Sequence, residues 1–78
     1  MTHDELISNL SNIGIPERDY SLGSIRYSGD CICVLLEDTK WKVYYVERDK
    51  PEELAMFDSA EDAYDFVYKS YCKWYKIP

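Results

Sequence analysis

Histidine and cysteine are the side chains of this sequence best suited to catalysis near neutral pH, and both are scarce. There is one histidine, His3, and there are three cysteines. Acid–base catalysis and the activation of a nucleophile usually depend on histidine. His3 belongs to a terminal segment that is expected to fray, so a Cys–His or Ser–His pair would depend on an unsteady partner. We therefore predict that the protein is not an enzyme. The alternative, an enzyme that uses His3 and a cysteine, predicts an activity that His3→Ala abolishes.

A metal site is the second kind of chemistry that these residues could support. Cys31 and Cys33 lie two positions apart in a predicted strand, so their side chains project from the same face. A tetrahedral zinc site needs two further ligands, and the remaining cysteine and histidine are Cys72 and His3. The spacing of these four residues matches no familiar zinc pattern. We predict buried thiols, no metal site and no cofactor.

Four of the eight tyrosines fall in the predicted C-terminal helix, where two stripes emerge at about 100° per residue. The stripe predicted to face the core contains Ala63, Phe66, Val67, Ser70 and Trp74. A second stripe, centred about 115° away, contains Tyr64, Tyr68, Tyr71 and Tyr75. Together they span roughly 200°, about twice what one-sided packing needs. Two interpretations stay open: the tyrosines lap over the core edge and contact the first helix, with their hydroxyls in water, or they form a protein-binding or self-association face.

The formal net charge of −6 disfavours nucleic acid as a partner, because phosphates require clustered lysine and arginine. Residues 1–39 contain seven acidic residues against two arginines, a balance of −5. Residues 40–78 contain eight acidic residues against seven basic ones, a balance of −1. The surplus in the first half favours a basic partner through electrostatic steering. The alternative is that the surplus serves solubility alone.

Two helices are predicted to position these side chains. The first is predicted over residues 3–13, because Thr2 and Glu5 have the spacing of a capping box and apolar residues then recur at helical intervals until a glycine and a proline interrupt them. The second is predicted over residues 59–75. Asp58 or Ser59 can cap it, acidic residues cluster in its first turns, and lysines cluster in its last turns, as the helix dipole favours.

The segment between the helices has the patterns of strands. Residues 17–24 lack periodicity and are predicted to form a loop. Strands are predicted at residues 24–28, 31–37, 41–48 and 53–57. This order predicts one α+β domain over residues 1–78, with an N-terminal helix, a three- to four-stranded antiparallel meander and a C-terminal helix packed on one face of the sheet.

The chain has no sequence signal for export or for a membrane. Its first residues are acidic where a secretory signal would carry lysine or arginine, and no apolar run follows them. The longest apolar stretch, Cys31 to Leu36, is far shorter than the roughly 20 residues that a membrane span requires. An odd number of cysteines without the spacing of a disulfide scaffold fits a reducing compartment. We predict a soluble, cytoplasmic protein.

Three segments follow one another in a distinctive order. They are Tyr20-Ser21-Leu22-Gly23, the run from Trp41 to Arg48, and Phe57-Asp58-Ser59 before a helix that opens with Glu61-Asp62-Ala63. This order resembles that of a family of small bacterial immunity proteins, which belongs to polymorphic toxin systems, including Maf and contact-dependent-inhibition systems. Ser24, Asp49 and Tyr64 stand where the family tends to have two glycines and a cysteine. These departures lie in loops and on a helix surface, so they bear on the partner more than on the fold.

The resemblance implies a function and a partner. Such proteins bind a cognate secreted toxin, often a nuclease that cleaves RNA, and block it. Toxins of that kind are usually basic, which agrees with an acidic inhibitor. The candidate partner-binding residues are Glu17, Asp19, Tyr20, Glu61, Tyr64, Asp65 and Tyr68. The alternative is a small regulatory or structural module that works as a homodimer through the tyrosine stripe, without a toxin partner.

Overall fold

The chain folds into a four-stranded sheet with two helices. The computed structural model describes residues 1–25, 30–48 and 50–76. Helices are α1 (His3–Asn12) and α2 (Ala60–Trp74), and a short 3₁₀ turn spans Glu17–Asp19. The strands are β1 (Tyr20–Leu22), β2 (Cys31–Glu37), β3 (Lys40–Glu47) and β4 (Lys50–Phe57). The predicted α+β class, with one helix before the sheet and one packed against it, is confirmed.

The helix boundaries follow from local hydrogen bonds. At the start of α1, the Glu5 backbone N–H donates to Thr2 Oγ1 (3.2 Å) and the Thr2 N–H donates to Glu5 Oε1 (2.8 Å), which completes the predicted capping box. The helix ends before Gly14, whose φ of +85° suits glycine. At the start of α2, the Asp62 N–H donates to Ser59 Oγ (3.2 Å).

Strands β2 and β3 form the central hairpin of the sheet. Their register pairs Val34 with Val43 and closes at Glu37 and Lys40, so the turn contains two residues. Both turn residues, Asp38 and Thr39, have positive φ, as a type I′ turn requires. Strand β4 pairs antiparallel with β3 and forms one edge of the sheet.

The other edge corrects the predicted meander, because the sheet is mixed. Residues 20–22, which were predicted to lie in a loop, form β1 and pair parallel with β2 from Tyr20 opposite Ile32. Three residues are too few to show a strand period in a sequence, and the pairing depends on contacts from distant elements. Ser24 and Ile25 do not belong to a strand, and the rest of the strand predicted at 24–28 lies outside the described residues.

The main core lies between one face of the sheet and both helices. Its buried members are Leu6, Leu10, Ile15, Tyr20, Ile32, Val34, Val43, Ala63, Tyr64, Val67 and Tyr71. The opposite face carries a second, smaller cluster of Cys31, Cys33 and Val46, with Ile25 and Tyr44 packed against it. Helix α2 contacts both α1 and strands β2, β3 and β4, so it packs against two walls of the core.

This second wall explains why the predicted core stripe of α2 was partly wrong. The buried residues of α2 are Ala63, Tyr64, Val67 and Tyr71. Trp74, assigned to the core from the sequence, is 45% exposed. The buried stripe therefore runs between the two predicted stripes, and it takes two tyrosines into the core where α1 and the sheet meet.

Leucine-to-alanine substitutions at buried and exposed positions test this division. Leu10 is fully buried and Leu36 is 56% exposed. We expect Leu10→Ala to lower the free energy of unfolding by about 2–5 kcal/mol, because it leaves a cavity. Leu36→Ala should change it by less than about 0.5 kcal/mol. Urea denaturation measures both, and equal losses would contradict the described core.

Candidate functional site

A cleft lined by aromatic rings and carboxylates lies at the C-terminal end of α2. Its volume is about 430 Å³, and it is lined by Asp19, Asp30, Cys31, Tyr45, Tyr71, Trp74 and Tyr75. We call it the aromatic cleft. Its size falls in the range of small-molecule and side-chain pockets, roughly 300–1,000 Å³.

Residues from several parts of the chain line the aromatic cleft. Helix α2 brings Tyr71, Trp74 and Tyr75 to one side of its last turn, because residues three and four apart are neighbours on a helix. Strand β3 contributes Tyr45, which stands on the helix-covered face of the sheet opposite Ile32. The two carboxylates come from segments beside strand starts, one at the end of the 3₁₀ turn and one just before β2.

The rings meet edge to face. Trp74 lies 5.7 Å from Tyr45 with the planes at 70°, and 5.6 Å from Tyr71 at 83°. Tyr71 in turn lies 5.9 Å from Tyr75 at 65°. Rings at such angles do not stack in parallel, so space for another group can remain between them. Tyr71 is only 4% exposed and forms the floor, whereas Trp74 and Tyr75 are 45% and 52% exposed.

Tyr71 connects the aromatic cleft to the core. Its hydroxyl donates a hydrogen bond to the backbone carbonyl of Asp19, which ties the 3₁₀ turn to α2 across 52 positions of sequence. Burial raises the pKa of Tyr71 well above its ordinary range, with a smaller contribution from the charge of Asp19. Neutral Tyr71 therefore holds the segment that carries one of the two carboxylates.

The charges around the cleft are negative. The pKa of Tyr45 is raised first by burial and then by the charges of Asp30 and Glu47. Asp30 also accepts a hydrogen bond from the backbone N–H of Arg48 at 3.4 Å. A site with aromatic faces and two carboxylates favours a positively charged group.

The predicted site residues do not form one cluster. Asp19 lines the aromatic cleft, whereas Glu17 and Tyr20 line a separate depression beside His3 of α1. On the other helix, Asp65 pairs with the N-terminal ammonium of Met1 at 2.7 Å. That hydrogen bond is the main cause of the raised pKa of the ammonium, and nearby Glu61 and Glu5 add to it against the effect of burial.

Two of the predicted tyrosines belong to the core. Tyr20 and Tyr64 are 7% and 8% exposed, and Tyr64 packs its ring edge to face with His3, 6.0 Å away. Their rings offer little surface to a partner, so we do not propose that Tyr20 or Tyr64 contacts one. Tyr68 is half-buried against the core, and its pKa is raised mainly by a hydrogen bond with Cys72. Glu61 is exposed.

Most residues of the aromatic cleft were missed as site residues. Asp30, Tyr45 and Trp74 are far apart in sequence, and each looks ordinary in its own segment. Trp74 was assigned to the core, and Tyr45 lay within the strand predicted at residues 41–48. The surplus of aromatic surface on the second helix was the one available signal, since it exceeded what a single packing face can cover.

The face of the sheet opposite the helices holds a different charged group. Lys42 Nζ lies 3.5 Å from Glu37 Oε1 and 3.6 Å from Glu53 Oε1, and the Tyr44 hydroxyl donates to Glu37 at 3.1 Å. One lysine thus links the two carboxylates across β2, β3 and β4. Across residues 1–25, 30–48 and 50–76, no group of three or more His, Cys, Asp or Glu is placed to hold a metal. Within the same ranges, neither helix is long and apolar enough to cross a membrane.

Replacing Tyr71 by phenylalanine tests its hydrogen bond and its raised pKa. Below about pH 10, Tyr71→Phe should lower the free energy of unfolding by about 0.5–1.5 kcal/mol, because the Asp19 carbonyl loses its donor. The folded protein holds the phenol proton more tightly than the unfolded chain, whose pKa is near the ordinary 10.0. The contribution of this pKa shift to the free energy of unfolding is therefore fully present below that pH and is lost as the pH rises toward the folded pKa.

We expect this alkaline loss to be smaller in Tyr71→Phe than in the wild type, when denaturant unfolding is measured over a pH series. Tyr75→Phe is the matched control, because Tyr75 is largely exposed. Equal behaviour of the two variants would contradict the structural role given to Tyr71.

Comparison with protein-family models, with curated proteins and with solved structures found no match to this chain. The resemblance to immunity proteins therefore stays a prediction.

Proposed function

We propose that this protein is an immunity protein that binds a cognate bacterial toxin, a basic nuclease domain that cleaves RNA, and neutralises it. The observation that carries the proposal is the aromatic cleft, which joins two carboxylates to the exposed rings of Trp74 and Tyr75. Tryptophan and tyrosine are enriched at surfaces that bind other proteins, and the two carboxylates add negative charge that suits a basic partner. The toxin is inferred from the sequence resemblance, and the cleft supports the binding.

Charge supports the choice of a basic partner. The chain carries a net charge of −6, and a nuclease domain carries positive charge where it binds phosphates. Opposite charges accelerate association and orient the two surfaces during encounter. The same negative charge disfavours direct binding of this protein to RNA or DNA, so the proposal has no nucleic-acid partner.

Inhibition by occlusion needs no catalytic group on the inhibitor. A partner held over the toxin's active site excludes the substrate by its bulk, so binding energy alone is enough. This fits a protein predicted to have no enzymatic activity. In this proposal the protein acts in the cytoplasm, where the toxin would meet its RNA substrate.

A second candidate function is a homodimeric interaction module, supported by the outer stripe of α2. This stripe consists of Asp62, Phe66, Lys69 and Lys73, spaced at helical intervals and bordered by Leu54 and Phe57 of β4. Two antiparallel copies of α2, related by a two-fold axis near residue 66, would place Asp62 opposite Lys69 of the second copy. The stripe is thus self-complementary. The tyrosine stripe is a poorer candidate, since Tyr64 and Tyr71 are buried.

The immunity proposal is tested by co-purification with the product of the adjacent toxin gene and by protection of RNA from that toxin. We expect Asp19→Asn/Asp30→Asn to weaken binding by about 30-fold or more, because removing one partner of a buried charge pair at an interface costs about 2–5 kcal/mol. Asp4→Asn/Asp38→Asn is the matched control, since it removes the same net charge at exposed positions.

Two results would count against this proposal. Failure of the wild-type protein to bind or inhibit any adjacent toxin would remove the immunity function. Equal weakening by both double variants would mean that net charge alone drives binding and that the aromatic cleft has no special part in it.

The homodimer is tested by reversing charges on the outer stripe of α2. We expect Asp62→Lys and Lys69→Asp each to weaken a dimer about tenfold or more, because each places like charges opposite one another. The double variant should restore it. Sedimentation equilibrium measures the dimer constant, and a wild-type protein that stays monomeric at the highest attainable concentration would remove this candidate.

A further inference from the structure

We propose that the aromatic cleft is a cage for one arginine side chain of the protein partner, with the guanidinium group held between the exposed rings and the carboxylates of Asp19 and Asp30. The inference rests on the proposed function for the source of that arginine. The chemistry of the cage itself depends only on the residues described below.

The rings of the cleft differ in orientation. Tyr71 is buried at its base, and the planes of Trp74 and Tyr75 lie at 83° and 65° to that of Tyr71. The recess is therefore bordered by rings in more than one orientation, and Trp74 and Tyr75 are exposed at its rim. Cations are attracted to aromatic faces within about 6 Å of the ring centroid, most strongly to tryptophan. Trp74, which contacts both Tyr45 and Tyr71, is the ring best placed for this role.

Several carboxylates outside the cleft already form ion pairs within the protein. Lysine side chains and the N-terminus already pair with carboxylates outside the cleft: Lys42 with Glu37 and Glu53, Lys40 with Asp58, and the Met1 ammonium with Asp65. Among the residues that the structure describes, neither Asp19 nor Asp30 forms an ion pair with a cationic side chain. Their negative charge is therefore available to a cation from another molecule.

The lining of the cleft suits the guanidinium of arginine better than other cations. A metal ion would need several oxygen, nitrogen or sulfur ligands, and aromatic walls supply none of these. A lysine ammonium is compact and strongly hydrated, so it loses more on entering an aromatic recess. A guanidinium is planar and weakly hydrated, stacks on aromatic faces, and has five donors that can reach two carboxylates at once. The cleft matches these properties of arginine.

The lysines of α2 do not fill the cleft from within. Lys69 and Lys73 line the separate groove that Leu54, Phe66 and Ser70 form with one side of Trp74. Trp74 thus presents one side to this groove and another to the aromatic cleft. A substitution at Trp74 affects both places, whereas Asp19 and Asp30 belong to the cleft alone.

The test uses the isolated full-length protein and three small probes. These are N-acetyl-arginine methylamide, its uncharged isostere N-acetyl-citrulline methylamide, and N-acetyl-lysine methylamide. Heteronuclear NMR follows the Trp74 indole and the backbone signals of Asp19, Asp30, Tyr45 and Tyr75 during each titration. We expect saturable shifts with the arginine probe, none with citrulline, and clearly weaker binding with lysine.

Two variants examine the cage itself. Trp74→Leu should weaken arginine binding by roughly 2- to 30-fold, the range for one cation–π contact. Asp19→Asn/Asp30→Asn should weaken it further and leaves the rings in place. Trp41→Phe, which removes the other tryptophan, and Asp4→Asn/Asp38→Asn should keep wild-type binding. Circular dichroism checks that each variant is folded.

The proposal is overturned if the arginine shifts do not saturate, if citrulline or lysine binds equally well, or if both cleft variants bind arginine as the wild type does. These outcomes are independent of the toxin experiment. Arginine binding without any toxin partner would leave the cage and remove the immunity function. Toxin binding that is insensitive to Trp74→Leu, with no arginine binding, would remove the cage and leave the immunity function.

Discussion

The packing of α2 into the angle between the sheet and α1 fixes which aromatic side chains are buried and which remain at the surface. Helix α2 contacts both neighbours, and its buried residues are Ala63, Tyr64, Val67 and Tyr71. Rotation of α2 about its axis would therefore move buried side chains out of one of these two contacts. In a domain of this size the core is small, and each buried aromatic ring contributes a large share of it. Once Tyr64 and Tyr71 are inside, Trp74 and Tyr75 are left at the surface beyond the last turn of the core.

Tyr71 shows how stability and the candidate site share one side chain. Its ring fills the core, and its hydroxyl satisfies the Asp19 carbonyl. A buried hydroxyl without a partner would be costly, so this bond holds the 3₁₀ turn in place. The carboxylate of Asp19 is therefore positioned beside the exposed rings by an interaction whose main energetic role is in folding. The acidic and aromatic character of the cleft follows from that positioning.

The distribution of charge also has a structural basis. On the sheet face opposite the helices, Lys42 pairs with both Glu37 and Glu53, so each of these carboxylates has a cation of the protein beside it. Asp19 and Asp30 of the aromatic cleft form no such ion pair among the described residues. The net charge of −6 is thus locally uneven. A basic partner would gain most at the cleft, where attraction is combined with aromatic contact.

Elements with local signals were predictable from the sequence. The capping box of Thr2 and Glu5, a cap at Asp58 or Ser59 and the apolar run of β2 predicted helices and a central strand, because these patterns depend on near neighbours. The sequence also indicated an excess of aromatic surface on the second helix. Only the tertiary structure decided the parallel pairing of β1, the rotation of α2 and the meeting of Asp19, Asp30, Tyr45 and Trp74. Those features depend on contacts between distant segments, which no local period in a sequence records.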